Sequence, residues 1–343
     1  MAVMERLRAK KAMAPKRIII ILGLLIFVAF LISMNLGMIR LSPKEVMSTL
    51  FGLGTQKQEL ILYSFRLPRI VIAILAGMGL AVSGAIMQGV SKNALADPGI
   101  LGINAGAGLA AVIVIMYTAS NPQNVDVYLL PFAALAGAML TATLIYVLAW
   151  RKGATSSHRL LLVGIAVGAG ISAVMTLLIV KMKFYTIMLA SIWLSGSLWG
   201  TNWDFVKALL PWIVILIPLT IYKARYLNVL NLGDHTAMGL GTSVEKERIK
   251  LLVMAVALAA SCVAVGGGIG FLGLVGPHIA RKLVGPNHKW LIPVSALVGG
   301  LFLVVADMVG RNVLAPAEIP VGIVVSGIGA PYFLYLLIKS RRM

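Results

Sequence analysis

Long apolar runs separated by short polar links dominate the chain. The runs are about 17–22 residues long, the length an α-helix needs to cross hydrocarbon. They predict spans near 18–34, 70–90, 99–117, 129–150, 160–180, 205–222, 249–265, 290–309 and 319–338. A tenth, shorter run at 271–279 follows the cluster Gly266-Gly267-Gly268-Ile269-Gly270 and reaches across only if those glycines also lie in the membrane. The short alternating segments of a membrane barrel are not the pattern here. The fold class expected is therefore an all-α polytopic membrane protein of about ten helices, with residues 1–343 forming one transmembrane domain.

One polar, glycine-punctuated island stands out among the later spans: residues 227–241, ending Gly233-Asp234-His235-Thr236-Ala237-Met238-Gly239-Leu240-Gly241. Asp234 can cap a short helix and Gly241 can end it. A short capped helix between two spans does little for the spans themselves and reads as a surface offered to a partner. Elsewhere, Ser42-Pro43-Lys44-Glu45 is a helix start within the polar segment 40–69.

Composition agrees with the pattern. The chain is 60% hydrophobic and 12% charged, with mean hydropathy +0.97, against about 25% charged residues in a soluble domain. A net charge of +19 would suggest nucleic acid in a soluble protein. Here the positive-inside rule accounts for it. With the basic N-terminal segment 1–17 inside and ten spans, both termini are cytoplasmic, and the inside segments hold 21 of the 30 Lys and Arg. The N-terminal run reads as a retained signal anchor, because no small-residue cleavage site follows it. The exceptions to the charge bias lie outside and include Arg66, Arg69 and Arg311. They suit either contact with lipid headgroups or sockets for carboxylates of an external partner, a task for which the guanidinium fork is shaped.

An internal repeat is also present. Arg69 to Pro98 and Arg248 to Pro277 are equal intervals, each a basic start, an apolar span, a glycine-containing patch and a proline. In the orientation above the two copies are inverted, as in many transporters.

Several motifs exclude more than they assign. Gly268-Ile269-Gly270-Phe271-Leu272-Gly273 matches a dinucleotide fingerprint literally but lies in a membrane run, so it reads as close packing or a bent helix. No G-x-x-x-x-G-K-[ST] occurs, so if ATP drives the protein another chain binds it. Four His and the single Cys262 form no metal-ligand spacing. Ala81-Val82-Ser83-Gly84 resembles part of an intramembrane serine-protease signature without a histidine base. Asp307 is the carboxylate near a span and Asp97 sits in a link, a set too poor for ordinary ion coupling.

Together, the residues resemble the FecCD family of type II ABC importer permeases. The resemblance rests on Arg66-Leu67-Pro68-Arg69; Ser83 to Gln88 continuing through Asn93-Ala94-Leu95-Ala96-Asp97-Pro98-Gly99-Ile100-Leu101-Gly102; Gly106-Ala107-Gly108; Arg159-Leu160-Leu161-Leu162-Val163-Gly164; Leu232-Gly233-Asp234 to Leu240-Gly241; Gly270-Phe271-Leu272-Gly273-Leu274-Val275 with Pro277-His278; Ala306-Asp307 with Arg311; and Glu318-Ile319-Pro320-Val321-Gly322. Ala94 stands where the family often has proline. The resemblance implies ten helices, a second permease subunit (identical or not), two cytoplasmic ABC ATPases that bind ATP, and an extracytoplasmic substrate-binding protein, at a bacterial plasma or inner membrane. No cofactor is expected on this chain itself. By matched position, Arg66, Arg69 and Arg311 would dock the binding protein. Gly233, Asp234, Ala237, Leu240 and Gly241 would form the coupling helix region for the ATPase. Asn93, Ala94 and Leu95, with Ser156 and Ser157, would line the cytoplasmic gate. The cargo implied is a ferric siderophore, with heme or cobalamin as alternatives within the family. An ion-coupled secondary transporter is the alternative from another class.

Overall fold

The computed structural model describes residues 14–37, 39, 41–120, 128–151, 154–155 and 157–340. Among the described residues seven helices are long and apolar enough to cross a membrane: α1 (Pro15–Asn35), α3 (Gln56–Ser91), α5 (Leu129–Ala149), α6 (Ser157–Val180), α8 (Trp203–Asn231), α10 (Val244–Gly266) and α12 (His288–Asn312). The shorter helices are α2 (Pro43–Leu50), α4 (Ile103–Ser120), α7 (Phe184–Leu194), α9 (Asp234–Gly239), α11 (Leu272–Val284) and α13 (Val321–Ser340). Trp150–Arg151 and Ala154–Thr155 form a two-residue antiparallel ribbon before α6.

Every expected span has a helix, but several boundaries move. α3 begins well before the apolar run and passes through a π-helical stretch, Leu60–Arg66. α8 continues to Asn231, beyond the end expected from hydropathy, although it contains Pro211 and Pro218. α7 is an additional apolar helix of 11 residues in a stretch whose composition is mixed. The short run after the glycine cluster becomes α11 and extends to Val284. Ser42 starts α2 as its sequence suggests: its hydroxyl accepts from Glu45 N at 3.3 Å, and Glu45 accepts from Ser42 N at 2.7 Å.

The core is built on the repeat. In α3 and α10, 78% of the spanning window is buried, against 6% in α6, so these two are the central helices and α6 is peripheral. They run antiparallel, as an inverted repeat requires. The Ser83 hydroxyl of α3 donates to the Ala255 carbonyl of α10 at 2.6 Å, which gives the protease-like serine a packing role. Glycine sets the spacing at two crossings. A side chain at Gly84 would collide with the Gly273 carbonyl of α11, and one at Gly77 with the Gly299 carbonyl of α12. Backbones approach this closely only where no Cβ intervenes.

The glycine cluster forms the break between α10 and α11. Gly267 takes φ +69 and leaves no room for a side chain beside the Trp193 carbonyl. Gly268 N donates to that carbonyl at 3.4 Å, and Gly322 N donates to the Gly196 carbonyl at 2.9 Å. The end of α7, the α10–α11 break and the start of α13 therefore meet backbone to backbone. The link after α3 folds back along the bundle: Asp97 and Pro98 pack against Gly273, which itself faces Leu80.

Candidate functional site

The polar chemistry collects at the two ends of α3. At its Arg69 end, the Arg69 guanidinium donates through Nε to Asp307 at 3.0 Å and through Nη1 to Glu318 at 2.8 Å. Arg311, one turn beyond Asp307 on α12, places Nε 2.9 Å from the other Asp307 oxygen. It also donates to the Ser33 hydroxyl at 2.6 Å. Arg66 donates to the carbonyls of Met34 and Ile39. This end thus ties α1, α3, α12 and the segment before α13 into one polar cluster. Asp307 is 2% exposed, and Arg66 and Arg311 are each 5% exposed.

The three arginines expected to dock a binding protein are thus engaged within this chain. Each guanidinium has acceptors within this chain, and a carboxylate arriving from outside meets Arg66 and Arg311 already enclosed. Buried charges in a membrane bundle are paired because isolation is costly. Arg69 and Glu318 remain partly accessible. They line a cavity of about 340 Å³ together with Gly37, Lys57, Arg66 and Arg311, and Lys57 is exposed.

At the opposite end of α3 the pairs are more open. α9 begins after Gly233 (φ +104) and is followed by Gly241 (φ +77). Asp234 is its first residue but caps nothing, which corrects the expected capping role. One carboxylate oxygen accepts from Lys92 Nζ at 2.8 Å and the other from Arg248 Nη2 at 2.9 Å. The Lys92 hydrogen bond, with Arg248 behind it and partial burial opposing both, holds the Asp234 carboxyl below the usual aspartate range. Lys223 and Lys250 similarly flank Glu247 at 2.8 and 3.0 Å. Ala237 anchors the underside of α9 and is fully buried, whereas Leu232, Met238 and Leu240 are 54–62% exposed. An exposed apolar cap beside charged residues is the form of a protein contact.

Lys92 is the left-handed C-terminal cap of α3, φ +53. Asn93, Ala94 and Leu95 follow it directly, and Asn93 Oδ1 accepts from Leu95 N at 2.9 Å. The structure therefore brings the expected coupling helix and the expected first gate link together. Ser156 lies outside the described residues, and Ser157 is described only as the first residue of α6. Between the two ends, a cavity of about 590 Å³ opens beside α4 and α6, lined by Gly99, Asn104, Gly164, Gly168, Ser172 and Gly268 among others. Sequence reasoning did not single out Asn104 or Ser172; neither belongs to a motif, and only the crossing of α4 and α6 joins them. Among the described residues no group of three or more His, Cys, Asp or Glu could hold a metal ion.

Comparison with known proteins agrees with this architecture. The chain is 55% identical over 334 residues to the iron(3+)-hydroxamate import system permease protein FhuG of Bacillus subtilis, covering 96% of this chain and 99% of that one. It is 47% identical to the Fe(3+)-citrate import system permease protein YfmE of the same organism, covering 96% of each chain. With the hemin transport system permease protein HmuU of Yersinia pestis the identity is 38%, over 95% of this chain and 97% of that one. A solved metal-chelate type ABC transporter in an inward-facing conformation superposes with a TM-score of 0.84 at 29% identity, over 94% of this chain and 99% of that one. A profile of the FecCD transport family matches residues 24–339, and the chain belongs to that family of membrane permeases.

Proposed function

We propose that the chain is the translocation subunit of an ATP-driven importer that carries a ferric siderophore, of the hydroxamate class, inward across a bacterial plasma or inner membrane. The observation that carries this reading is the near full-length match to a hydroxamate permease at 55% identity. Two features of the chain support it. α9 presents Met238 and Leu240 beyond the ends of two long helices, a surface for an ABC ATPase that binds and hydrolyses ATP. The 590 Å³ cavity is lined by glycines and by Ile165, Met175 and Leu194, with Asn104 and Ser172 as its polar side chains, a wall with no charged group to retain a large chelate tightly.

In this reading two ATPases seat on the α9 surfaces of two permease subunits, and both termini face them in the cytoplasm. ATP binding moves α9, and access to the pathway alternates. The peripheral, apolar α6 is a face for the second permease subunit. An external binding protein docks at the opposite end, where one of its carboxylates reaches Lys57 and competes with Glu318 for Arg69. The test is uptake of a ferric hydroxamate into proteoliposomes holding the full complex of permease, ATPase and binding protein. ATP-dependent uptake that survives a protonophore is expected. Uptake without ATP that collapses with the proton gradient would reject the proposal in favour of an ion-coupled carrier.

A further inference from the structure

The coupling surface and the gate link need a physical connection. α9 has a glycine with positive φ on each side, Gly233 and Gly241. Backbone hydrogen bonds close both turns, Gly233 N to the Leu230 carbonyl at 3.2 Å and Thr242 N to the Ala237 carbonyl at 3.0 Å. They tie α9 to α8 and to the start of α10, and contact with the link after α3 is left to side chains. Ala237 supplies packing, and Asp234 supplies the charged contacts.

We propose that the Asp234–Lys92 pair is the strut that carries motion of α9 to the gate link after α3. Lys92 is the residue at which α3 stops and the chain reverses. Displacing its ammonium by moving Asp234 acts on the backbone one residue before Asn93. The second oxygen of Asp234 is held by Arg248 near the start of α10, whose Nη1 also pairs with Glu245 at 3.0 Å. One carboxylate thus bridges the two helices of the inverted repeat at the moving end, and α9 lies at their junction. The pair is not there for stability. Both of its side chains are about two-fifths exposed, 38% and 42%, and exposed ion pairs contribute little to folding. Its value lies in direction, since a short charge-assisted hydrogen bond fixes the distance between two segments that share no backbone hydrogen bond.

This inference rests on the ATP-driven reading, and the experiment separates the two. The full complex of permease, ATPase and binding protein is reconstituted with wild type, Lys92→Met or Lys92→Arg permease. Ferric hydroxamate uptake and ATP hydrolysis are measured in the same vesicles. With wild type, ATP-dependent uptake establishes the frame; its absence rejects the functional reading and leaves the strut without a role. Given that frame, Lys92→Met is expected to assemble with the ATPase and hydrolyse ATP, while uptake per ATP falls by about 5–150-fold, the usual span of coupling between sites. Lys92→Arg, which keeps the charge and the donor, is expected to restore the ratio. An unchanged ratio in Lys92→Met overturns the proposal. So does an equal loss of hydrolysis and uptake, which would mark Lys92 as structural only.

Discussion

Asp307→Asn tests the polar cluster most directly. Asp307 faces two guanidiniums, Arg69 at 2.9 and 3.0 Å and Arg311 at 2.9 Å, and is 2% exposed. Removing one partner from a buried pair leaves an uncompensated charge and costs about 3–5 kcal/mol. Arg69 retains Glu318 at 2.8 Å, which places the expected loss near the lower figure. Arg311 keeps the Ser33 hydroxyl but no carboxylate among its described partners. Glu318→Gln is the control, because Glu318 is half-buried and pairs with Arg69 alone; its cost should be about 1 kcal/mol, the upper end of the range for accessible pairs. The assay is equilibrium unfolding of the purified permease in mixed micelles. Equal midpoints for Asp307→Asn and wild type, or a Glu318→Gln loss as large as that of Asp307→Asn, would refute the reasoning. The same logic governs charge reversal at Arg66 or Arg69. A loss of uptake there does not by itself report docking, since the fold is perturbed at the same time, and binding-protein affinity must be measured on folded protein.

Other consequences are simpler. Gly84→Ala drives a methyl into the Gly273 carbonyl and should destabilise by about 1–3 kcal/mol, as overpacking does, seen as a lower Tm in detergent; an unchanged Tm contradicts the close crossing of α3 and α11. Met238→Asp with Leu240→Asp should abolish ATPase co-purification while the permease still folds, because both side chains are exposed at the C-terminal end of α9; retained co-purification places the ATPase elsewhere. The Asp234 carboxyl is held below its ordinary value of about 3.9 by Lys92 and Arg248, the two cations that face it. Its pairing is therefore present above that unfolded value and is lost only as pH falls through the lower folded value. Carbon-13 NMR of the Asp234 side-chain carboxyl, assigned by its loss in Asp234→Asn, should show no titration from about pH 5 to 8, and a midpoint inside that window rules out the depressed carboxyl.

Hydropathy located every spanning helix because a membrane span must be continuously apolar. It failed where a helix leaves hydrocarbon. Lys223, Arg225, Asn228 and Asn231 closed the expected span early, yet α8 runs on through them, since water outside the membrane tolerates a polar helix. The early start of α3 at Gln56 was hidden in the same way. α7 is too short to span and so left no signature of its own. Site chemistry was legible as residue type and poorly legible as pairing. Arg69 and Asp307 are 238 positions apart, and no local period joins them. Asp234 stood out from its place at the start of the glycine-flanked island, but capping, the local role, lost to two distant cations.

The two ends of α3 differ in a way that bears on mechanism. At the Arg69 end the charges are enclosed, each bound to several internal partners, and exchange requires exposing a charge to an apolar interior. At the Lys92 end, Asp234, Lys92 and Lys250 are all more than a third exposed, so these pairs can move together without carrying a charge into an apolar interior. A helix held this way has a fixed foot and a movable tip. In the proposed mechanism, work delivered at α9 is expressed at the α3–α4 link, while the enclosed Arg69 end resists small disturbances. The partly accessible Arg69–Glu318 contact is the exception at that end. In the proposed docking, this more accessible pair is where a carboxylate of the binding protein would enter.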